Sequence, residues 1–435
     1  MEAVIDAAAA APTLAPSARA ARAGFRPAAL DALNFLLADV RGALGPYLNV
    51  FLTTQQHWSQ SSVGVVTTVG GLLGLVGQTP AGALIDAMRA KRGLIVAALA
   101  VLAAGAVVIY ALPSFWPVLA ANTLMGLVGD VFGPAVAALT LGLYRRGALA
   151  RRMGRNAAFD HAGNVAIAAA AGAVGWAVSQ RAVFLLVPVC AAAAAAAALA
   201  IPAGAIDHAS ARGGREDAHA RGGRDDDTRG GAADGASASI WRVLAGSRPL
   251  LIYGVCALLF HFANAPLLPL VGQKLALAHK AWATPMMSSC IIAAQLIMLP
   301  IALAVGATAD RFGRKPILIA GFAVLPIRAA LYVLSDHAWW LIGVQLLDGV
   351  GAGIFGAITP LVIADVMRGT GRYNVAQGAV ATLQGIGAAA SGLVTGEIVD
   401  HFGYSAGFLW SSAAASVALL VLLLRMPETA DRAAR

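Results

Sequence analysis

The chain sets polar and charged side chains inside otherwise apolar runs: Asn34, Asp39 and Arg41; Asp130; Asp160, His161 and Asn164; His261 and Asn264; Gln295; Arg328; Gln345 and Asp348; Gln377, Gln384 and Glu397. A charge in hydrocarbon is expensive, so each is a candidate for function. The chemistry open to them is proton binding and hydrogen bonding. A carboxylate binds a proton in the working range when burial or loss of a partner shifts its pKa, which qualifies Asp39, Asp130, Asp160 and Asp348 by type. His161 and His261 titrate nearer neutrality. Asn34 and Arg41, seven apart, share a helical face with Asp39 roughly opposite, and Asp160 and Asn164 stack at i, i+4. Cys190, Cys256 and Cys290 all fall in apolar runs, which excludes a disulfide framework or zinc cluster, and no sodium cage is legible from spacing. Two enzymatic spellings are decoys. Gly351-Ala352-Gly353-Ile354-Phe355-Gly356 has no strand before it, and neither has Gly403-Tyr404-Ser405-Ala406-Gly407. The expectation is a protein that is not an enzyme and needs no cofactor.

The elements that must position these residues follow from composition. Of 435 residues, 59% are hydrophobic and 12% charged, with a mean hydropathy of +0.74. That is too few polar residues to coat a soluble protein of this length. About 20 apolar residues in helical form cross a bilayer. Twelve such runs occur, at about 28–53, 61–85, 93–112, 118–143, 157–179 and 182–203, then 249–273, 285–307, 317–334, 339–366, 375–399 and 405–425; they are numbered here as spans 1 to 12. Their continuity excludes the alternation of a β-barrel. The fold class is therefore all-α integral membrane, with twelve transmembrane helices.

Between the sixes lies 204–246, rich in Gly, Arg and Asp and too polar to order itself, which reads as a disordered cytoplasmic linker. Residues 1–27 read as a cytosolic N-terminal tail and 426–435 as a second one. Nineteen basic residues stand in the tails and the loops on one side, against Arg181, Lys274 and Lys280 on the other. Positive charge stays inside, so both termini and the linker are expected in the cytoplasm. The net charge of +9 is read as this topology signal together with contact to anionic head groups of the bilayer, not as nucleic-acid binding.

The two sets of six repeat each other. Pro46-Tyr47-Leu48 aligns with Pro269-Leu270-Val271, Gly82 and Asp86 with Gly306 and Asp310, Phe132-Gly133 with Phe355-Gly356, and Pro202 with Pro427, all at offsets of 223 to 225. Such duplication predicts two pseudo-symmetric six-helix bundles, 28–203 and 249–425. Gly306-Ala307-Thr308-Ala309-Asp310-Arg311-Phe312-Gly313-Arg314-Lys315-Pro316 is similar to the signature loop of the major facilitator superfamily, and Met426-Pro427-Glu428-Thr429 resembles that family's ending. The resemblance covers about residues 28–429. The first-half copy of the loop keeps Gly82, Asp86, Lys91 and Arg92 but has Ala87 and Arg89 where the family has Arg and Gly.

The resemblance implies a transporter that alternates access around a central cavity lined by spans 1, 4, 7 and 10. Carried over, the cavity candidates are Asn34, Arg41, Asp130, His261, Asn264 and Asp348. Arg41 with Asp130 forms either a substrate counter-charge or a structural ion pair. Asp31, Asp365, Arg328 and Glu397 read as interfacial or packing residues. The resemblance also implies a conformational latch of Gly82, Asp86, Gly306, Asp310, Arg311, Gly313, Arg314 and Lys315, with Asp310 accepting from a helix N-terminus or an Arg. Drug-expelling members carry an Arg in span 4 and a Pro in span 5, where this chain has Asn122 and no proline. Gly70, Gly74 and Gly77, like Gly349, Gly353 and Gly356, are expected at helix seams, and Pro46, Pro134, Pro269 and Pro360 at kinks.

The expected function is proton-coupled efflux of a small organic solute by a monomer in a bacterial inner membrane. The alternatives are proton-coupled import of an organic anion and, from another class, a receptor or scaffold that transports nothing.

Overall fold

The computed structural model describes residues 16–38, 44–87, 91–129, 131–144, 146–208, 242–368, 370 and 372–430. Among these the secondary structure is helical, with one isolated bridge between Pro16 and Tyr144. Helices are what hydrocarbon allows, because each satisfies its own backbone groups. Span 1 is Pro27–Leu37 followed by Gly45–Thr54, span 2 is Gln60–Ala87, span 3 is Lys91–Ala111, span 4 is Phe115–Gly129 with Phe132–Leu143, and span 5 is Arg146–Ala177. Span 6 is a 3-10 turn, Arg181–Leu185, running into Leu186–Leu199. The second half repeats the plan. Span 7 is Arg248–Asn264 with Leu267–Ala278, span 8 is Ala283–Phe312, span 9 is Arg314–Leu331 and span 10 is Ala338–Val366. Spans 11 and 12 form one run, Tyr373–Arg425, bent at Gly403, where φ is +82°. A glycine is required at that bend because an L side chain is strained at this φ.

Seven described stretches are long and apolar enough to cross a membrane on that test alone, one of them containing both spans 11 and 12. Spans 1 and 2 contribute the shorter apolar stretches Pro27–Leu37 and Gln60–Val76, and spans 5 and 9 carry charge. The whole is an all-α membrane fold of two six-helix bundles, each with its own apolar core. One core holds Leu33, Phe51, Leu102 and Phe184, and the other Tyr253, Phe260, Phe322 and Phe408.

Prolines mark the breaks, with one correction. Pro46 and Pro134 fall in the first turn of the second segment of their spans, where a missing N–H leaves nothing unbonded. In span 7 the break is at Ala265-Pro266, and Pro269 is the third residue of the helix that follows, as Pro134 is of its own. Pro360 is carried within an unbroken helix. Span 5 begins well before its apolar run, since the polar side chains of its first turns find partners in spans 1 and 4. The tail is docked over residues 16–26. Ser17 caps helix Ala18–Arg22, its N–H donates to the Leu143 carbonyl at 2.9 Å, and Arg19 reaches the Gly204 carbonyl at 3.0 Å. Most of the expected linker, 209–241, lies outside the described residues.

Candidate functional site: a polar cavity sealed at one end

The interrupted spans 1 and 7 face each other at mid-depth across a cavity of about 320 Å³, bounded by Pro46, Asn49, Asn122, Asn264, Arg328 and Asp348 among others. Non-helical backbone is tolerated there because it lines a cavity rather than lipid. Asp348 is paired with Arg328 and accepts from Gln345 Nε2 at 2.9 Å, Arg328 Nη2 donates to Asn264 Oδ1 at 2.7 Å, and the Tyr332 hydroxyl donates to Gln345. Arg328 is 2% exposed, with no hydrogen-bond partner for its Nε, whereas the Asp348 side chain is 19% exposed. Arg328 is thus not the packing residue expected. It is the buried counter-charge of a cavity carboxylate, for the reason that a guanidinium in span 9 has no route to water. The signal available in the sequence was that an Arg and an Asp stand within the apolar runs of adjacent spans, and two such charges pair rather than stay single.

A second cavity of about 230 Å³ lies inside the first bundle, lined by Asn34, Phe132, Met153, Asn156 and Asp160. Asn34 donates to the Leu30 carbonyl at 2.7 Å and Asn164 to Asp160 at 3.5 Å. Behind this cavity, Asp31 pairs with Arg152 at 2.7 Å and Arg155 at 2.8 Å. Arg152 donates to Asn156 at 2.9 Å, and Asn156 to Thr140 at 3.0 Å. Asp31, expected at an interface, anchors spans 1, 4 and 5 instead, because two arginines on span 5 converge on it. The Asp365 carboxylate is likewise buried in an ion pair, with Arg314, whereas Glu397 is exposed beside His401. Asp39, Arg41 and Asp130, and with them the expected Arg41–Asp130 pair, lie outside the described residues. His261 is not brought to either cavity: its Nδ1–H donates to the Ala257 carbonyl at 2.9 Å and its ring packs on Phe260 and Phe355. His161 bridges the halves by donating to Gln295 at 2.9 Å.

Contacts between the halves gather at the end remote from the termini. The Asp400 carboxylate of span 11 accepts from the backbone N–H groups of Gln60 at 2.8 Å and Ser61 at 2.7 Å, capping the start of span 2. Tyr47 bonds Ser288 at 2.9 Å, Thr68 donates to the Ala389 carbonyl at 2.7 Å, and Trp176 lies 6.1 Å from Trp282. Small residues allow this approach. A Cβ on Gly64 would stand 2.4 Å from the Gly392 carbonyl oxygen, and one on Gly396 2.5 Å from that of Gln60. The glycines expected at seams pack within single bundles: Gly70 against Asn122, Gly349 and Gly353 against span 8, while Gly356 has open space beside it. The seam between bundles therefore uses a different set, which helical spacing alone does not single out.

On the side of the termini, Arg314 is the hub of the signature loop. Its Nε donates to Asp365 at 2.9 Å and its Nη1 to Asp310 at 2.7 Å, while Lys315 Nζ donates to the Leu423 carbonyl at 3.0 Å. Asp310 meets an Arg; the N-terminus of span 9 is capped by Glu428, which accepts from the N–H groups of Arg314 at 2.8 Å and Lys315 at 3.2 Å. These contacts join spans 8, 9, 10 and the end of span 12 within one bundle. Gly313 holds a φ of +89°, Gly306 has open space beside it, and Arg311 lies over Phe312. Gly82 and Asp86 fall in helix Gln60–Ala87, and their surroundings are outside the description.

Burial pushes the Glu428 carboxyl up, but the N–H groups of Ala430, Arg314, Lys315 and Thr429 outweigh it and hold the group below its ordinary value. A lowered pKa stabilises above the ordinary carboxylate range and stops doing so as pH falls through the lowered value. Glu428→Gln is therefore expected to lower thermal stability by about 1 kcal/mol at pH 7, with the gap to the parent closing on acidification. A gap independent of pH would contradict the cap.

Two six-helix bundles closed over a polar cavity at one end define a membrane carrier. The model of the Major Facilitator Superfamily matches residues 30–301 and 254–435. The chain is 47% identical over 403 residues to an uncharacterized MFS-type transporter of Mycobacterium tuberculosis, covering 93% of each. It is 29% identical over 141 residues to the methyl viologen resistance protein SmvA of Salmonella typhimurium, covering 32% of this chain and 28% of that one. The crystal structure of a mutant of the nucleoside transporter NupG superposes with a TM-score of 0.75 at 13% identity, covering 92% of this chain and 100% of that one, a likeness of fold. The chain belongs to the major facilitator superfamily.

Proposed function

We propose that this transporter exports a small polar organic solute from a bacterial cytoplasm by alternating access, driven by protons, with both termini cytoplasmic. The observation that carries the reading is the Arg328–Asp348 pair, buried in the membrane interior yet presented to the cavity between the bundles. The ionised Asp348 carboxylate, open to the cavity beside Arg328, accepts hydrogen bonds from the donors of the solute. A proton taken up from outside neutralises it and releases the solute, and loss of that proton to the cytoplasm restores the site. Competition of this kind is how exchange arises from one site. The partial similarity to a methyl viologen resistance protein supports the outward direction.

The test is purified protein in liposomes with an internal pH dye and an imposed proton gradient. Drugs, organic acids and amino acids are added in turn. Solute-triggered proton movement is expected in the parent, reduced in Asp348→Glu and absent in Asp348→Asn. Coupled movement that survives in Asp348→Asn would remove Asp348 from the mechanism.

A further inference from the structure

Toward the sealed end the central cavity continues into a smaller chamber of about 170 Å³, sharing Asn49, Thr67, Ala265 and Pro269 with it. Its polar wall is Asn49 from span 1, Gln60 and Thr67 from span 2, Gln273 from span 7, and Ser391 and Thr395 from span 11. No Asp, Glu, Lys or Arg lines it among the described residues. Among the described residues, three of these side chains hold a buried oxygen without a hydrogen-bond partner: Asn49 Oδ1, Gln273 Oε1 and Thr395 Oγ1. Gln273 is 1% exposed and Thr395 2%. The amide of Gln273 is oriented by its own nitrogen, since Nε2 donates to the Asn49 main-chain carbonyl at 3.5 Å, which leaves the carbonyl oxygen over.

An unsatisfied buried acceptor costs about 1–3 kcal/mol, so a wall with three such oxygens is poorly explained by packing. It is explained by an occupant that donates. We propose that the chamber is an outer solute subsite, for a small molecule with at least two N–H or O–H donors and no negative charge. This rests on the carrier reading and names the substrate class for it. An anion brings only acceptors and leaves the amide oxygens of Asn49 and Gln273 unpaired. A divalent cation needs carboxylates that the wall lacks. An apolar guest leaves the oxygens unpaired. The volume matches about five or six waters, or the polar end of a small solute.

The position gives the subsite a role in the cycle. Two of its walls come from each bundle, so it is complete only while the remote end is closed. A solute held there favours the closed state, and opening that end divides the chamber and releases the solute outward.

The test uses the full chain in nanodiscs and four probes of similar size: glycerol, serinol, glycerate and 1,2-dimethoxyethane. These are a neutral donor, a cationic donor, an anion and a donor-free ether. Thermal midpoint is the readout, with fluorescence as a second measure, because the Trp176–Trp282 contact forms across the closed seam. Glycerol or serinol is expected to raise the midpoint saturably. Thr395→Val and Gln273→Met are each expected to weaken that binding about tenfold, the worth of one hydrogen bond. Glycerate or the ether binding as well as the donors would overturn the proposal. So would no saturable effect from any probe, whatever Thr395→Val does to stability. Loss of the proposal leaves the carrier reading intact if any solute still drives flux in liposomes. Saturable donor binding without flux of any solute sinks the carrier reading and leaves the chamber.

Discussion

Arg328→Met is expected to destabilise the protein by about 3 kcal/mol, because it leaves the half-buried Asp348 carboxylate without its counter-charge. Asn264 would lose its donor as well, and Gln345 alone would remain on the carboxylate. Replacing both partners, Arg328→Met with Asp348→Leu, is expected to recover most of the stability, since a buried ion pair is often matched by apolar groups of similar volume. Transport should be absent from both variants. Thermal inactivation in detergent and flux in liposomes separate the two effects. If the double variant were as unstable as the single one, shape at this position rather than charge would be what the fold requires. If it transported, the pair would be structural only.

Gly64→Ala is expected to hold the remote end open and cut transport at least tenfold with the bundles still folded. The added methyl would stand 2.4 Å from the Gly392 carbonyl oxygen and 2.8 Å from its carbon. Both are backbone atoms, which have no rotamer to retreat to. Overpacking of this kind costs about 1–3 kcal/mol. Because the clash exists only when the bundles meet, that energy shifts the balance between closed and open rather than between folded and unfolded. A cysteine placed at Ser391, in a cysteine-free background, reads the outcome: it lines the chamber under the seal. Rapid alkylation is expected in Gly64→Ala and slow alkylation in the parent. Equal rates with full transport would show that the glycine contact is not part of the seal. Gly396→Ala repeats the test against the Gln60 carbonyl oxygen at 2.5 Å.

The two experiments bear on parts of the molecule that differ in how legible they were. Asn264 and Asp348 were found from the sequence because an amide and a carboxylate in apolar runs are conspicuous, and the resemblance placed their spans on the cavity. Arg328 is equally conspicuous, but taken along its own helix it reads as an interfacial or packing residue, because a long basic side chain can snorkel. Its long side chain reaches across to span 10, and no spacing rule within one helix reports that reach. Glu428 was noted as part of the chain's ending, yet its role as the cap of span 9 depends on residues more than a hundred positions away. His261, chosen for the polarity of its type, is instead held by its own helix and by aromatic rings.

By itself the sequence determined that the chain crosses a membrane in twelve helical runs, repeats its first half in its second, and keeps basic residues in loops on one side. These are properties of segments, set by the thickness of hydrocarbon and by charge, and they are written along the chain in order. The tertiary structure alone decided which polar groups meet: Arg328 with Asp348 and Asn264, Asp31 with Arg152 and Arg155, and Asp400 with the start of span 2. It also decided which glycines form the seam between bundles and which oxygens are left without donors. The physical reason is that these helices are apolar on nearly every face. With no single apolar stripe to turn toward a core, hydropathy does not fix their rotation. Close packing of small residues and the pairing of the few buried polar groups fix it instead.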